Sequence, residues 1–227
     1  MMSVGNRIRT NFERPSKELV ESFRGIPVAN LDDCMNRMSS LDAGISPVNH
    51  SPLLGTAFTV RCPAGDNLMF HKALDLAQPG DILVIAAGGS MSRALCGEIM
   101  SNYAKKRGIV GFIIDGCIRD IDELSQFTDF PVYARGVVPN GPYKNGPGEI
   151  GYPVACGGQV IKPGDILLGD GDSVLVIPQE DAEGLAEQGR AVMLKEQGQL
   201  KGIEESCSFP RPFVDATLKS IGTEMVD

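Results

Sequence analysis

Between Thr56 and Gly136 the chain repeats one alternation, an apolar β-branched run followed by a stretch with helical spacing, and this narrows its fold more than any other feature. Strand signals stand at 56–62 (TAFTVRC), 82–87 (ILVIAA), 108–115 (GIVGFIID) and 131–136 (PVYARG). Between them, 66–77 (DNLMFHKALDLA) sets Leu68, Phe70, Ala73, Leu74 and Ala77 on one broad apolar face, and 93–106 and 120–127 read as further helices. Strands alternating with helices predict an α/β layering. Two helices are predicted ahead of this run, at 16–25 with Ser16 as N-cap and Gly25 as stop, and at 30–39. Beyond residue 136 the periodicity changes. Short strands at 153–156, 158–161, 165–169 and 173–178, separated by Gly- and Pro-rich turns, predict a β-rich layer. An acidic helix is expected over 179–200, then an irregular extension from Gly202.

At 227 residues the chain can form one large domain or two small ones, and with no Trp and 6% aromatic residues its core must be aliphatic. No apolar run approaches the roughly 18–20 residues that span a bilayer, and the N-terminus carries no apolar signal segment, so a cytoplasmic location away from membranes is expected. The net charge of −8, with no clustered Lys/Arg stripe, argues against nucleic-acid binding. The six cysteines form no C-x-x-C pair and are expected to be reduced. With only His50 and His71 available, a zinc site lacks its usual spacing. Any metal is expected to be a hard, oxygen-bound cation such as Mg²⁺ or Mn²⁺.

Several motifs fall away on context. Residues 146–151 (GPGEIG) match a dinucleotide fingerprint in letters but have neither the preceding strand nor the following helix that it needs. There is no phosphate-binding P-loop and no G-x-S-x-G elbow, and no lysine sits in an apolar strand where Schiff-base chemistry would want it. The echo between PGDILVIA (79–86) and PGDILLGD (163–170) reports either a duplicated half or one turn used twice. His71 lies beside the main apolar stripe of its helix and reads as structural or exposed, with a site role left open.

The stretch FIIDGCIRDIDEL (112–124) is different. An apolar run stops at Asp115-Gly116, and Arg119-Asp120 follows just ahead of an acidic helix. Asp120 can be a helix-start residue and Arg119 a surface pairing partner. Twenty residues upstream, however, Gly97-Glu98 opens another helix after a Gly-rich loop, and one helix plus one parallel strand fills that gap. Such a crossover returns the end of the second strand to the side where the helix begins. Amides near Gly97–Met100 would then face Arg119 and Asp120, giving an anion cradle, a cation and a hard metal ligand together.

Gly97-Glu98, the twenty-residue gap and Arg119-Asp120, with GDNLMFHKALDLAQPGDILVI and GGQVIKPGDILLGDGDSVLVIP around them, resemble the family of RraA-like proteins and 4-hydroxy-4-methyl-2-oxoglutarate aldolases over about residues 50–180. The resemblance implies an α-β-β-α sandwich in a single domain, with a core of about 20–200 and a C-terminal extension, 201–227, against a neighbouring subunit of a trimer or hexamer. It implies a class II lyase using Mg²⁺ or Mn²⁺ that cleaves 4-hydroxy-2-oxo acids to pyruvate and decarboxylates oxaloacetate. By position, the amides of Gly97, Glu98, Ile99 and Met100 and the side chain of Arg119 would hold the substrate. Asp120 would ligate the metal, Glu98 would orient a water in its shell, and Glu123 would support it from farther out. The segment Gly171-Asp172-Ser173 lacks the longer acidic run of relatives. The family also contains regulators that bind and inhibit an RNA-degradation enzyme, which is the alternative function.

Overall fold

A computed structural model describes residues 3–226. The chain opens with strand β1 (Asn6–Ile8), helix α1 (Lys17–Glu21) and helix α2 (Val28–Cys34), and Ser16 caps α1 by accepting a hydrogen bond from the Leu19 amide at 3.1 Å. After β2 (Ser46–Pro47) comes the alternating run: β3 (Leu53–Arg61), α3 (Leu68–Leu76), β4 (Asp81–Ala94), α4 (Glu98–Lys106), β5 (Gly111–Ile118), α5 (Ile121–Leu124) and β6 (Val132–Val137). The remaining strands are β7 (Gly148–Ile150), β8 (Val154–Cys156), β9 (Gln159–Ile161), β10 (Ile166–Gly169) and β11 (Val174–Ile177). Helices α6 (Leu185–Ser206) and α7 (Pro212–Ser220) end the chain.

Strands β3, β4, β5 and β6 pair in parallel in that order, with β10 and β7 both antiparallel to β3 at its two ends. Side-chain alternation then sorts the core into layers. Phe58, Leu83, Ile85, Phe112 and Ile114 point to one face, where they meet Phe70 and Ala73 of α3, Ala104 of α4 and Leu124 of α5. Ala57, Ile82, Val84 and Ile113 point to the other, against Val154, Ile161, Leu167, Val174 and Val176. The opposite sides of β10 and β11 (Ile166, Leu168, Leu175, Ile177) pack under Val28 and Leu31 of α2 and Leu185 and Ala186 of α6. Helix, sheet, strand layer, helix is the expected α-β-β-α sandwich. Being covered on both faces is why β3, β4 and β5 read as unbroken apolar runs.

Several details differ from the sequence expectations. The core is not purely aliphatic, since Phe70, Phe112 and Phe130 stack edge-to-face within it. The helix expected over 179–200 runs instead over Leu185–Ser206, after a short turn at Gln179–Asp181. The strand at 108–115 runs on through Asp115 and Gly116 to Ile118, because the Asp115 carboxylate is neutralised by Arg135 on β6. Helix α4 starts at Glu98 rather than residue 93, since Ala94 still belongs to β4 and the Leu95 amide bonds to Cys117 O at 2.8 Å. Leu68 is 40% exposed, and Met69 takes its place in the core. The C-terminal extension is helical, and none of α7 is buried.

The repeated Pro-Gly-Asp is one turn used twice. Asp81 accepts from the Gln78 amide (2.8 Å) and Asp165 from the Lys162 amide (2.7 Å), each across a glycine with φ above 90°. The strands that follow run in opposite directions beside β3. Their carboxylates differ in charge balance. Arg14 grips Asp81 with two bonds of 2.9 Å, whereas the ammonium of Lys162 pairs with Glu180 and leaves Asp165 without a direct cation. Burial raises the Asp165 carboxyl to about 6. A raised folded-state value gives stability that is complete below the ordinary carboxylate range and lost as pH rises through about 6. Asp165→Asn, which mimics the neutral acid, is therefore expected to stabilise the fold by about 1–2 kcal/mol at pH 7.5, with the gain shrinking toward pH 5. Urea denaturation at the two pH values checks this; an equal effect at both would refute it.

Candidate active site

The centre lies where β5 ends beside the start of α4. The Arg119 amide donates to Cys96 O (3.0 Å) and Val138 donates to Ile118 O (3.0 Å), so the chain ahead of α4 and the chain after β6 flank Arg119-Asp120. Asp120 has left-handed backbone angles (φ 61°, ψ 46°), which Asp tolerates better than most residues. Its carbonyl starts α5 by accepting from the Leu124 amide at 3.0 Å. Its side chain does not cap that helix. Instead Oδ2 accepts from the Glu98 amide of α4 at 2.9 Å. The carboxylate thus takes one of the orphan donors at the N-terminus of the neighbouring helix.

Gly97 makes the approach possible. A Cβ there would overlap Asp120 Oδ2 and lie 3.0 Å from Arg119 Cγ. Ser101 holds the turn, its amide and hydroxyl both donating to Gly97 O at 3.2 and 3.0 Å. The Glu98 amide is consumed by Asp120, so the expected four-amide cradle for a substrate carboxylate is reduced. The Ile99 and Met100 amides have no acceptor among the described residues and stay available.

Two pockets meet at Arg119. One of ≈ 350 Å³ is lined by Arg119, Asp120, Val137, Val138 and Pro139. A second of ≈ 190 Å³ has Arg119, Ile99, Met100, Asn67, His71 and Lys144 among its walls. Arg119 Nε stands 3.8 Å from Asp120 Oδ2, too far for a tight pair, and its side chain remains 46% exposed. The side chains of Glu98 and Glu123 are exposed and line neither pocket.

Asn67, His71 and Lys144 reach the site through long-range contacts. Asp66, buried, accepts from the Leu68 amide (2.9 Å) and from the amides of Asn145 (2.6 Å) and Gly146 (3.1 Å), tying the loop that carries Lys144 to the start of α3. Arg93 fixes the same loop through Gly141 O (2.7 Å) and the Tyr143 hydroxyl (2.8 Å). Asn67 donates to Leu95 O at 2.7 Å, while its buried Oδ1 has no donor among the described residues. The sequence leaves a site role open for His71 and carries no signal for Asn67 or Lys144.

A divalent cation fits only in a particular way. No cluster of three or more His, Cys, Asp or Glu side chains is arranged for a metal among the described residues, so a closed protein cage does not form here. Asp120 Oδ1, however, makes no hydrogen bond among them, and the carboxylate opens into the larger pocket. One carboxylate oxygen with room for water and ligand oxygens is a donor set that suits Mg²⁺ or Mn²⁺.

The family model for RraA-like proteins, described as Aldolase/RraA, matches residues 28–176. A protein of Halalkalibacterium halodurans named "Putative 4-hydroxy-4-methyl-2-oxoglutarate aldolase" is 35% identical over 199 residues, covering 87% of this chain and 94% of its own. A crystal structure of an uncharacterized protein from Pseudomonas syringae pv. tomato superposes with a TM-score of 0.77 at 25% identity, over 86% of this chain and 92% of that one. RraAS2 of Streptomyces coelicolor, described as an unusual member of the RNase ES inhibitor RraA protein family, superposes with a TM-score of 0.73 at 27% identity, over 82% and 98%.

Proposed function

The chain belongs to the RraA-like family, and on that premise we propose that it is a divalent-metal-dependent lyase that cleaves 4-hydroxy-2-oxo acids to pyruvate and decarboxylates oxaloacetate. The observation that carries the reading is the diversion of Asp120 from its own helix to the Glu98 amide, beside an Arg119 left uncommitted. A carboxylate serving only its own helix as a cap would bond within α5. This one is held at the mouth of a pocket with one oxygen free.

Cleavage breaks C3–C4. The electron pair enters the 2-oxo group as an enolate while the 4-hydroxyl loses its proton and becomes a carbonyl, and protonation at C3 then yields pyruvate. Bound through Asp120, a Mg²⁺ or Mn²⁺ would supply Lewis-acid stabilisation of the charge that develops on the 2-oxo oxygen. The free Ile99 and Met100 amides at the positive end of α4 hold the 1-carboxylate. Arg119 adds a fixed cation where the enolate charge appears. A water takes the hydroxyl proton and returns it to C3. Glu98, whose amide anchors Asp120, and Glu123 on α5 have exposed side chains outside both pockets and would act on that water only through solvent. Lys144, which lines the smaller pocket with Arg119, suits a second carboxylate. Oxaloacetate loses CO₂ through the same enolate, so one site serves both reactions.

The protein also acts as a homo-oligomer in this reading. Leu194, Leu200, Phe213 and Ile221 on or beside α6 and α7 are each more than 60% exposed, and a neighbouring copy would give such apolar side chains cover. Among the described residues no helix is long and apolar enough to cross a membrane.

The test couples pyruvate release to lactate dehydrogenase, with oxaloacetate and 4-hydroxy-4-methyl-2-oxoglutarate as substrates and Mg²⁺ or EDTA present. Turnover that EDTA removes supports the reading, and a folded, metal-supplied protein that turns over neither substrate would reject it. Arg119→Lys keeps the charge but loses the planar fork, and is expected to lower kcat/KM by about 10- to 100-fold; full activity would mean that Arg119 does not touch substrate. The second reading, a regulator of an RNA-degrading enzyme, draws on the likeness to RraAS2. Metal-independent capture and inhibition of such an enzyme, unaffected by Arg119→Lys, would favour it.

A further inference from the structure

We propose that His71 is a specificity-determining residue that binds the distal carboxylate of a dianionic oxo acid in its protonated form, so that such a substrate brings in a proton and a monoanionic one does not. The inference rests on the oxo-acid reading above and names the substrate charge that the site selects.

The geometry is that of the smaller pocket. His71 on α3, Lys144 on the loop after β6 and Arg119 at the end of β5 line it together, with the free amides of Ile99 and Met100 at the adjoining helix start. A 1-carboxylate taken by those amides leaves the side chains of His71 and Lys144, on the other elements lining the same pocket, for a second anionic group. Those elements are held firmly, because Asp66 ties the start of α3 to the loop carrying Lys144.

The charges around His71 come from each element packed there. Lys144 and Arg119 line the pocket as basic side chains. Asp75, one turn along α3, is the acid that acts on His71, and it is engaged by the Tyr103 hydroxyl of α4 at 3.3 Å. Arg107 of α4 binds the Asp75 carbonyl at 2.9 Å. The carboxylate of Asp66 is spent on backbone amides. Burial, then Lys144, hold the imidazole below its ordinary value, with Asp75 opposing. His71 is therefore mainly neutral near pH 7 and becomes a further cation only when an anion compensates Lys144.

The sign follows from linkage. A carboxylate beside the ring raises its pKa, so the complex binds more protons than the free protein and affinity for the dianion grows as pH falls. The window runs from the bound value down to the depressed free value, which lies below 6.5. A monoanion whose only carboxylate sits at α4 leaves His71 unchanged.

With only two histidines in the chain, NMR of ¹³C-labelled imidazoles reads this directly. The protein with Mg²⁺ would be titrated over pH with 2-oxoglutarate, with pyruvate and without ligand, using His71→Asn to assign the signals and His50 as internal reference. The expected result is a His71 pKa raised by about one unit or more by 2-oxoglutarate and unmoved by pyruvate, with dianion affinity rising by up to about tenfold on acidification. His71→Lys is expected to bind the dianion with no such pH dependence. If both oxo acids bind and the His71 titration is the same in all three samples, the inference fails while the oxo-acid reading stands. If neither binds, the reading fails and the inference with it.

Discussion

Asp120→Asn is expected to remove at least about 10³-fold of kcat/KM with both substrates while leaving the fold nearly as stable as before. The asparagine keeps an oxygen that can accept from the Glu98 amide, and Asn tolerates the left-handed backbone at this position. What it loses is the charge that holds a hard cation. If that cation supplies several kcal/mol of transition-state stabilisation, at 1.36 kcal/mol per decade the rate falls by about three decades or more. Asp120→Ala is the harsher comparison. It strands the Glu98 amide, a capping loss of about 1 kcal/mol, and puts Ala into a left-handed conformation at a further cost of about 1–2 kcal/mol. The two variants should therefore match in activity and differ in melting temperature. Excess Mg²⁺ should restore neither. Wild-type turnover by the Asn variant, still lost with EDTA, would move the metal away from Asp120 and undo the proposed mechanism at its central residue.

The parallel run was legible because burial on both faces leaves apolar strands that no surface element mimics. The edges were harder. Asp115-Gly116 looks like a strand end until Arg135, on a different strand, neutralises the aspartate. Arg93-Ala94 has helical composition, yet Ala94 is held as strand by its bond to Asn140 O at 2.8 Å. Helix α7 has no buried residue, so nothing in the core imposed a pattern on its sequence. In the site, the spacing from Gly97-Glu98 to Arg119-Asp120 was enough to foresee their meeting, since a crossover of fixed topology spans it. It could not tell which helix the Asp120 side chain would serve. Nor could it bring Lys144 to His71, because that depends on Asp66 binding two amides some eighty residues away.

Gly97→Ala is the second large effect, and it isolates the Asp120 contact from the backbone. Gly97 has φ −157° and ψ −158°, an extended conformation open to alanine, so the substitution imposes no torsional penalty of its own. The added methyl collides only with what crosses in front of it: Asp120 Oδ2, with Asp120 Cγ and Arg119 Cγ each 3.0 Å away. Either the carboxylate swings off the Glu98 amide or the start of α4 retreats. Both outcomes displace the free Ile99 and Met100 amides relative to Arg119, and misplacing such groups by about 1 Å costs on the order of 10²-fold in rate. Overpacking should also cost about 1–3 kcal/mol of stability. A double-mutant cycle separates this from general damage to the helix. In an Asp120→Ala background the colliding oxygen is absent, so more than half of the stability cost of Gly97→Ala should disappear, a coupling well above the few tenths of a kcal/mol seen between independent sites. Additive losses would mean that α4 and the Asp120 carboxylate do not depend on each other, and the site would then need another reason for its glycine.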